Sequence, residues 1–254
     1  MKSRGTRIGA ILILLLLTAT TAVVILGTDI FNIKKISIIG SQHIERNVII
    51  SISGISYGDS IFKVNRRQVR ENIESRDPYP IVKDVVLRLP DEVEIYIEER
   101  TPVAYIPFLS SYLLIDENAF IMGLIKQDES SDQYFKIEGL REFNFKKGTQ
   151  FELIESEKIK QVVLNELLDS IYKRRVQHMI SEISLENVDN IKLLTRQGVL
   201  LELGQAVQLE KKLAWLLSDA YTEIVNSDMK GTLDVSVAEK AVFRPDQDLN
   251  EVSD

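Results

Sequence analysis

The chain has 254 residues, 44% of them hydrophobic and 27% charged, a composition that buries a sizeable core and excludes wholesale disorder. Its formal net charge is −7. Of its 31 basic side chains, Lys2, Arg4 and Arg7 lie in an acid-free stretch at residues 1–7, leaving 28 basic against 38 acidic in the remainder, a balance that disfavours nucleic-acid binding. With no cysteine it has no disulfides, no Cys-based zinc site and no thiol chemistry.

After the basic residues 1–7, no charge occurs from Ile8 to Leu26. Nineteen residues at the helical rise span about 28 Å, close to the hydrocarbon thickness of a bilayer. A buried globular helix would carry a polar stripe, and only Thr18, Thr20 and Thr21 interrupt this run. A cleaved signal peptide would stop at a small-x-small site, whereas Ala19 and Ala22 are followed by the apolar Val23–Leu26. Residues 8–26 are therefore expected to form a single uncleaved transmembrane helix. Lys2, Arg4 and Arg7 favour a cytoplasmic N-terminus and an exported body.

In the next segment, Phe31–Ile39 reads as a strand ending at Gly40-Ser41. Glu45–Ser53 reads as a helix with Val48, Ile49 and Ile52 on one face, stopped by Gly54. Asn65 and Gln68 stand at capping-box spacing ahead of a second helix, Arg66–Arg76. Period-two runs then flank Pro90-Asp91. Val85, Leu87 and Leu89 share one face, continued by Val93, Ile95 and Ile97, while Glu92, Glu94, Tyr96 and Glu98 take the other. The order β-α-α-β-β predicts two short helices on a three-stranded sheet.

These residues carry a resemblance. The frame Phe31-x-Ile33-x-x-Ile36-x-Ile38-x-Gly40, Gly54-Ile55, Gly58-Asp59, Arg88-x-Pro90 and Glu99-Arg100-x-Pro102-Val103-Ala104 resembles the FtsQ/DivIB family of bacterial cell-division proteins. Residues 31–99 look like that family's POTRA (polypeptide-transport-associated) domain.

Residues 100–244 look like the family's β-domain, a mixed α/β unit expected on an antiparallel sheet. Tyr112–Ile115 and Ala119–Ile121 form a hairpin around Asp116-Glu117-Asn118, with Asn118 at the left-handed position where the family usually has Gly. Asp128–Gln133 is a polar loop, and Ser156–Tyr172 a helix facing inward through Ile159, Val163, Leu167 and Ile171. Ile183–Leu185, Ile191–Thr195 and Val199–Leu203 are strands, the last two joined at Gln197-Gly198. Val207–Asn226 reads as one long amphipathic helix with Leu209, Leu213, Leu216, Ala220 and Ile224 along its apolar stripe, and Gly231–Asp234 and Lys240–Arg244 as closing strands. Residues 245–254 hold four acids and no base and read as a disordered acidic tail. The fold class expected is α+β: a cytoplasmic N-terminus (1–7), one transmembrane helix (8–26), the POTRA domain (31–99), the β-domain (100–244) and the tail.

No catalytic constellation appears. Ser60-Ile61-Phe62-Lys63 matches S-x-x-K, but the companion S-D-N-like and K-T-G elements are missing. His43 and His178, the two histidines, have no metal-ligand spacing, and Glu98-Glu99 reads as a solvated strand edge. No enzyme activity, cofactor, metal or small-molecule substrate is expected. Binding remains. A terminal strand often lies at a sheet edge, where unpaired backbone groups template an incoming strand. The resemblance implies that Lys240, Ala241, Val242, Phe243 and Arg244 receive an FtsB/FtsL-type coiled-coil pair by strand addition. Phe243 or Val242 would be the apolar anchor, and Arg244 would meet acidic partner residues. It also implies a non-enzymatic scaffold of the septum, in the inner membrane, with other division proteins meeting the POTRA domain. The alternatives are a POTRA-bearing subunit of an envelope export system, against which a single POTRA copy and an uncleaved anchor weigh, and an anchored wall enzyme, whose residues are missing.

Overall fold

In the computed structural model, which describes residues 9, 11–20, 28–127 and 133–246, residues 11–20 are helical. Among the described residues no helix is long and apolar enough to cross a membrane. Much of the expected span (residues 8, 10 and 21–26) lies outside the described residues, as do most of the polar loop (128–132) and the tail from 247 onward. The chain divides into two compact units, Met1–Arg100 and Thr101–Asp254.

In the first unit β1 (Lys35–Ile39) is followed by α1 (Arg46–Ser53), α2 (Arg66–Glu74), β2 (Ile81–Arg88) and β3 (Glu92–Glu98). The sheet order is β1-β3-β2, with β1 parallel and β2 antiparallel to the central β3. The local signals act as their chemistry dictates. Gly54 closes α1 in the left-handed conformation (φ 76°), and the Asn65 side chain accepts the N–H groups of Arg67 and Gln68 at the start of α2. The helices bury Ile49, Val69 and Ile73 against Val82, Val85, Val93, Ile95 and Ile97 of the sheet, with Ile33, Ile36, Ile55 and Ile61 completing the core. Two expected inward residues lie outside the core. Val48 is exposed on α1, which buries Ile49 and Ser53, and Leu89 is exposed because it lies past the end of β2, in the turn before β3; Leu87 is half-buried and packs against the core.

The second unit is built on a nine-stranded sheet. Its strands are β4 (Pro102–Phe108), β5 (Ser111–Asp116), β6 (Ile121–Lys126), β7 (Phe135–Glu138), β10 (Ile180–Ser184), β11 (Ile191–Thr195), β12 (Val199–Gly204), β13 (Gly231–Asp234) and β14 (Val242–Pro245). β8 (Phe143–Asn144) and β9 (Glu152–Leu153) pair separately as a small ribbon. The order is β14-β13-β12-β11-β10-β7-β4-β5-β6. The sheet is mixed rather than antiparallel: β4/β7, β7/β10 and β12/β13 run parallel, since each return passes through intervening chain rather than a hairpin.

Helix α3 (Lys158–Arg174) buries Val163, Leu164, Leu167, Leu168 and Ile171, while Ile159, expected inward, is exposed in its first turn. The expected long helix at 207–226 is broken. α4 (Leu209–Ala214) passes through a 3-10 turn (Trp215–Leu217) and restarts as α5 (Asp219–Asn226). Ser218 causes the restart: its Oγ accepts the Tyr221 N–H, and Trp215 Nε1 is held at the break by the Ala238 carbonyl (3.0 Å). Leu209, Leu213, Leu216, Tyr221 and Ile224 still reach the common core; Ala220, placed on that stripe by the sequence, faces solvent. At the β5–β6 turn the left-handed residue is Ala119 (φ 57°), not Asn118. The buried Asp116 fixes that geometry by accepting the N–H groups of Asn118 (2.9 Å) and Phe120 (2.8 Å).

Candidate partner interface

The expected binding strand lies at the edge of the large sheet, and among the described residues β13 is its one neighbour. It runs Val242–Pro245, antiparallel to β13, with Gly231 opposite Pro245, Thr232 opposite Arg244, Leu233 opposite Phe243 and Asp234 opposite Val242. Lys240 and Ala241 fall before it; Lys240 N–H closes a turn onto the Val237 carbonyl, and Ala241 packs on the core. The strand therefore extends one residue beyond Arg244, into what the sequence read as tail, and Asp246 N–H still bonds the Lys230 carbonyl (3.0 Å).

That last bond sets the phase of the ladder. Antiparallel pairs alternate between hydrogen-bonded and non-bonded, so Arg244 and Val242 bond to β13 while the N–H and C=O of Phe243 and the C=O of Pro245 point to the open side. Pro245 lacks an N–H where one would face outward, the position in which a strand tolerates proline. The outer side thus presents one donor at Phe243 and a short row of acceptors. Gly231 lets β14 lie close: a Cβ there would meet the Arg244 carbonyl oxygen at 2.3 Å and Pro245 Cα at 2.8 Å.

The side chains divide as the alternation requires. Phe243 packs against the core, and Val242 and Arg244 are exposed on the other face. Arg244 is engaged within the chain: its Nη2 lies 2.6 Å from Glu202 Oε2 and 3.5 Å from Asp234 Oδ2. The Ser236 hydroxyl and N–H hold the Asp234 carboxyl below its usual range despite partial burial, with Arg244 and Lys240 adding to the effect.

Each of the other sheet edges carries outward backbone groups bonded by contacts that the sequence does not signal. On β2, Val82 N–H bonds Glu74 Oε1 (2.9 Å) and Val82 C=O accepts from Arg70 Nη1 (2.7 Å). On β1, Ile36 C=O accepts from Arg46 Nη2 (3.3 Å). On β6, Ile121 is bonded on its outer side by Thr149 C=O and Gly148 N–H. Long side chains from the adjoining helices block a sheet edge as covering strands do.

The residues that could have suggested catalysis have other roles. Ser60 precedes a 3-10 turn (Ile61–Lys63) and bridges to Asn32, and Lys63 is exposed. His43 Nδ1 lies 2.9 Å from Glu99 Oε2, and the His178 carbonyl accepts from Arg196 Nε. Glu99 is not a solvated edge residue. Its Oε1 accepts the N–H groups of Gln42, His43 and Ile44 (2.7–2.9 Å) and lies 3.2 Å from Ser41 Oγ. Burial alone would raise its pKa, but the Ile44, His43 and Gln42 N–H groups outweigh this and lower it to about 2. Among the described residues no group of three or more His, Cys, Asp or Glu side chains could hold a metal ion.

Residues 31–100 match the family model of the POTRA domain, FtsQ-type. Along nearly its whole length the chain is also similar to the cell division protein DivIB of Clostridium botulinum (strain Hall), 26% identical over 247 residues, 96% of this chain and 93% of the relative. The chain is similar to the FtsQ/DivIB cell-division proteins. A second DivIB, from Clostridium acetobutylicum, is 28% identical over 220 residues, covering 84% of this chain and 82% of the relative. The solved major extracytoplasmic domain of DivIB from Geobacillus stearothermophilus aligns at 14% identity and a TM-score of 0.32, over 52% of this chain and 99% of that one. The FtsQ-type unit ends at Arg100, where the two compact units part, so the Glu99-Arg100 motif closes it. Glu99 clamps the β1–α1 loop, and Arg100 Nε bonds the Tyr79 carbonyl (2.9 Å).

Proposed function

We propose that the chain is a non-enzymatic scaffold of the division machinery, a single-pass protein of the inner membrane at the septum. Its N-terminus is cytoplasmic and both folded units lie outside, held by the charge-free run Ile8–Leu26 behind Lys2, Arg4 and Arg7. Other division proteins meet the POTRA unit. An FtsB/FtsL-type coiled-coil pair adds a strand to β14. The observation that carries this reading is the contrast between edge positions: the outward groups of Ile36 on β1, Val82 on β2 and Ile121 on β6 are already bonded, whereas the outer side of β14 offers Phe243 N–H and C=O. A strand added there would extend the nine-stranded sheet, with main-chain bonds supplying affinity and Val242 a side-chain contact.

Two substitutions at one position test it. Phe243→Ala and Phe243→Pro both remove the ring from the core, but only proline removes the outward N–H, and neither disturbs a bond to β13. Capture of the FtsB/FtsL-type pair by the full chain should fall at least tenfold further in the proline variant than in the alanine variant. Thermal unfolding confirms that both remain folded. Equal capture by the two variants would rule out strand addition at this residue.

A further inference from the structure

An apolar patch at the start of the first unit is exposed among the described residues. Asp29–Phe31 form a 3-10 turn, and the loop at 57–63 lies beside it, joined by Ile33 N–H to Asp59 O (2.8 Å), Gly58 N–H to Ile33 O (2.9 Å) and the Asn32–Ser60 bridge. The rings of Phe31 and Phe62 meet at 4.9 Å. Ile61 and Ile33 supply the core beneath, whereas Ile30 and Phe62 leave 53% and 54% of their surface exposed. Two cations sit beside them in sequence, Lys63 and Arg66, exposed and without a carboxylate partner among the described residues. The nearby acids are engaged: Asp29 accepts from Asn32 Nδ2 (2.7 Å) and Asp59 from Ser56 N–H (3.2 Å).

Chain length identifies what covers the patch. Ile30 is four residues beyond Leu26, the end of the apolar run, and four residues reach no further than about 14 Å. The polar zone of a bilayer is roughly 5–8 Å deep on each side. Exposed aliphatic and aromatic side chains flanked by Lys and Arg suit that zone, where apolar tips enter and cations meet anionic phosphates. We propose that Ile30 and Phe62 insert into the headgroup region of the bilayer, with Lys63 and Arg66 over anionic lipid phosphates, seating the first unit on the membrane surface. This rests on the reading of residues 8–26 as a spanning anchor.

The absence of cysteine permits single-site labelling. The full chain is reconstituted in nanodiscs containing phosphatidylglycerol, with a polarity-sensitive fluorophore at Lys63→Cys or, separately, at Thr18→Cys. The label at 63 should show blue-shifted emission and quenching by headgroup nitroxide lipids, and both should disappear in a Phe62→Ser background; Phe62 is exposed, so that variant folds. A water-like signal at 63 alongside a lipid-like signal at 18 overturns the seating and leaves the anchor standing. A lipid-like signal at 63 that persists in Phe62→Ser overturns the role of Phe62. A water-like signal at 18 overturns the anchor, and the seating with it.

Discussion

Glu99 shows how one carboxylate organises a loop. It receives three backbone N–H groups and the Ser41 hydroxyl, with His43 on its second oxygen, and its side chain is only 16% exposed. Its folded pKa of about 2 lies below the ordinary 4.5. Between these values the unfolded chain binds more protons than the folded one, so Glu99's contribution is full above about pH 4.5 and is lost as pH falls toward 2. The size is at most roughly 3 kcal/mol. Glu99→Gln should destabilise the first unit by about 2 kcal/mol at pH 7. Denaturant unfolding across pH 2–7 should show the wild-type stability declining below pH 4.5 and the variant converging on it. A constant difference at every pH would contradict the assigned role. The sequence displayed Glu99 in a motif, but its function as a clamp depends on a loop more than fifty residues earlier, a distance at which alternation says nothing.

Among the elements, β14 is held to the body by a short ladder and by Gly231. Gly231→Ala would place a Cβ 2.3 Å from the Arg244 carbonyl, so β14 should lift away. Hydrogen exchange should show the amides of Thr232 and Arg244 losing at least tenfold protection, while those of β11 and β12 keep theirs. Retained protection at Arg244 would show that the strand adjusts. The interrupted helix makes a second prediction: Ser218→Ala removes the cap of α5 and should cost about 1 kcal/mol of second-unit stability, read from thermal unfolding. These elements also mark where sequence reasoning reached. Period-two runs located β2, β3, β11 and β12, and the closing strand stood at the edge as expected, because local alternation and chain order carry that information. The break at Ser218 was missed although Ser-Asp is a helix-start signal, because the apolar stripe from Leu209 to Ile224 continues across it. The parallel pairings of β7 and the intramolecular pairing of Arg244 depend on distant strands and left no local signature.

At the scale of the whole molecule, two cores form separately, one around Ile49, Ile73 and Ile95 and the other around Leu113, Ile137, Leu167 and Leu201. In the first unit Arg46, Arg70 and Glu74 bond edge backbone groups at Ile36 and Val82, whereas among the described residues of the second unit the outward groups of Phe243 on β14 face no strand. Under the proposed function, that difference favours β14 as the place of strand pairing. The most direct measurement is amide exchange at Phe243 in the full chain, with and without the FtsB/FtsL-type pair. The account predicts rapid exchange in the free protein, as for an amide facing solvent, and at least hundredfold slowing in the complex as that N–H enters a new ladder. A Phe243 amide already protected in the free protein, or unchanged when the pair binds, would contradict it.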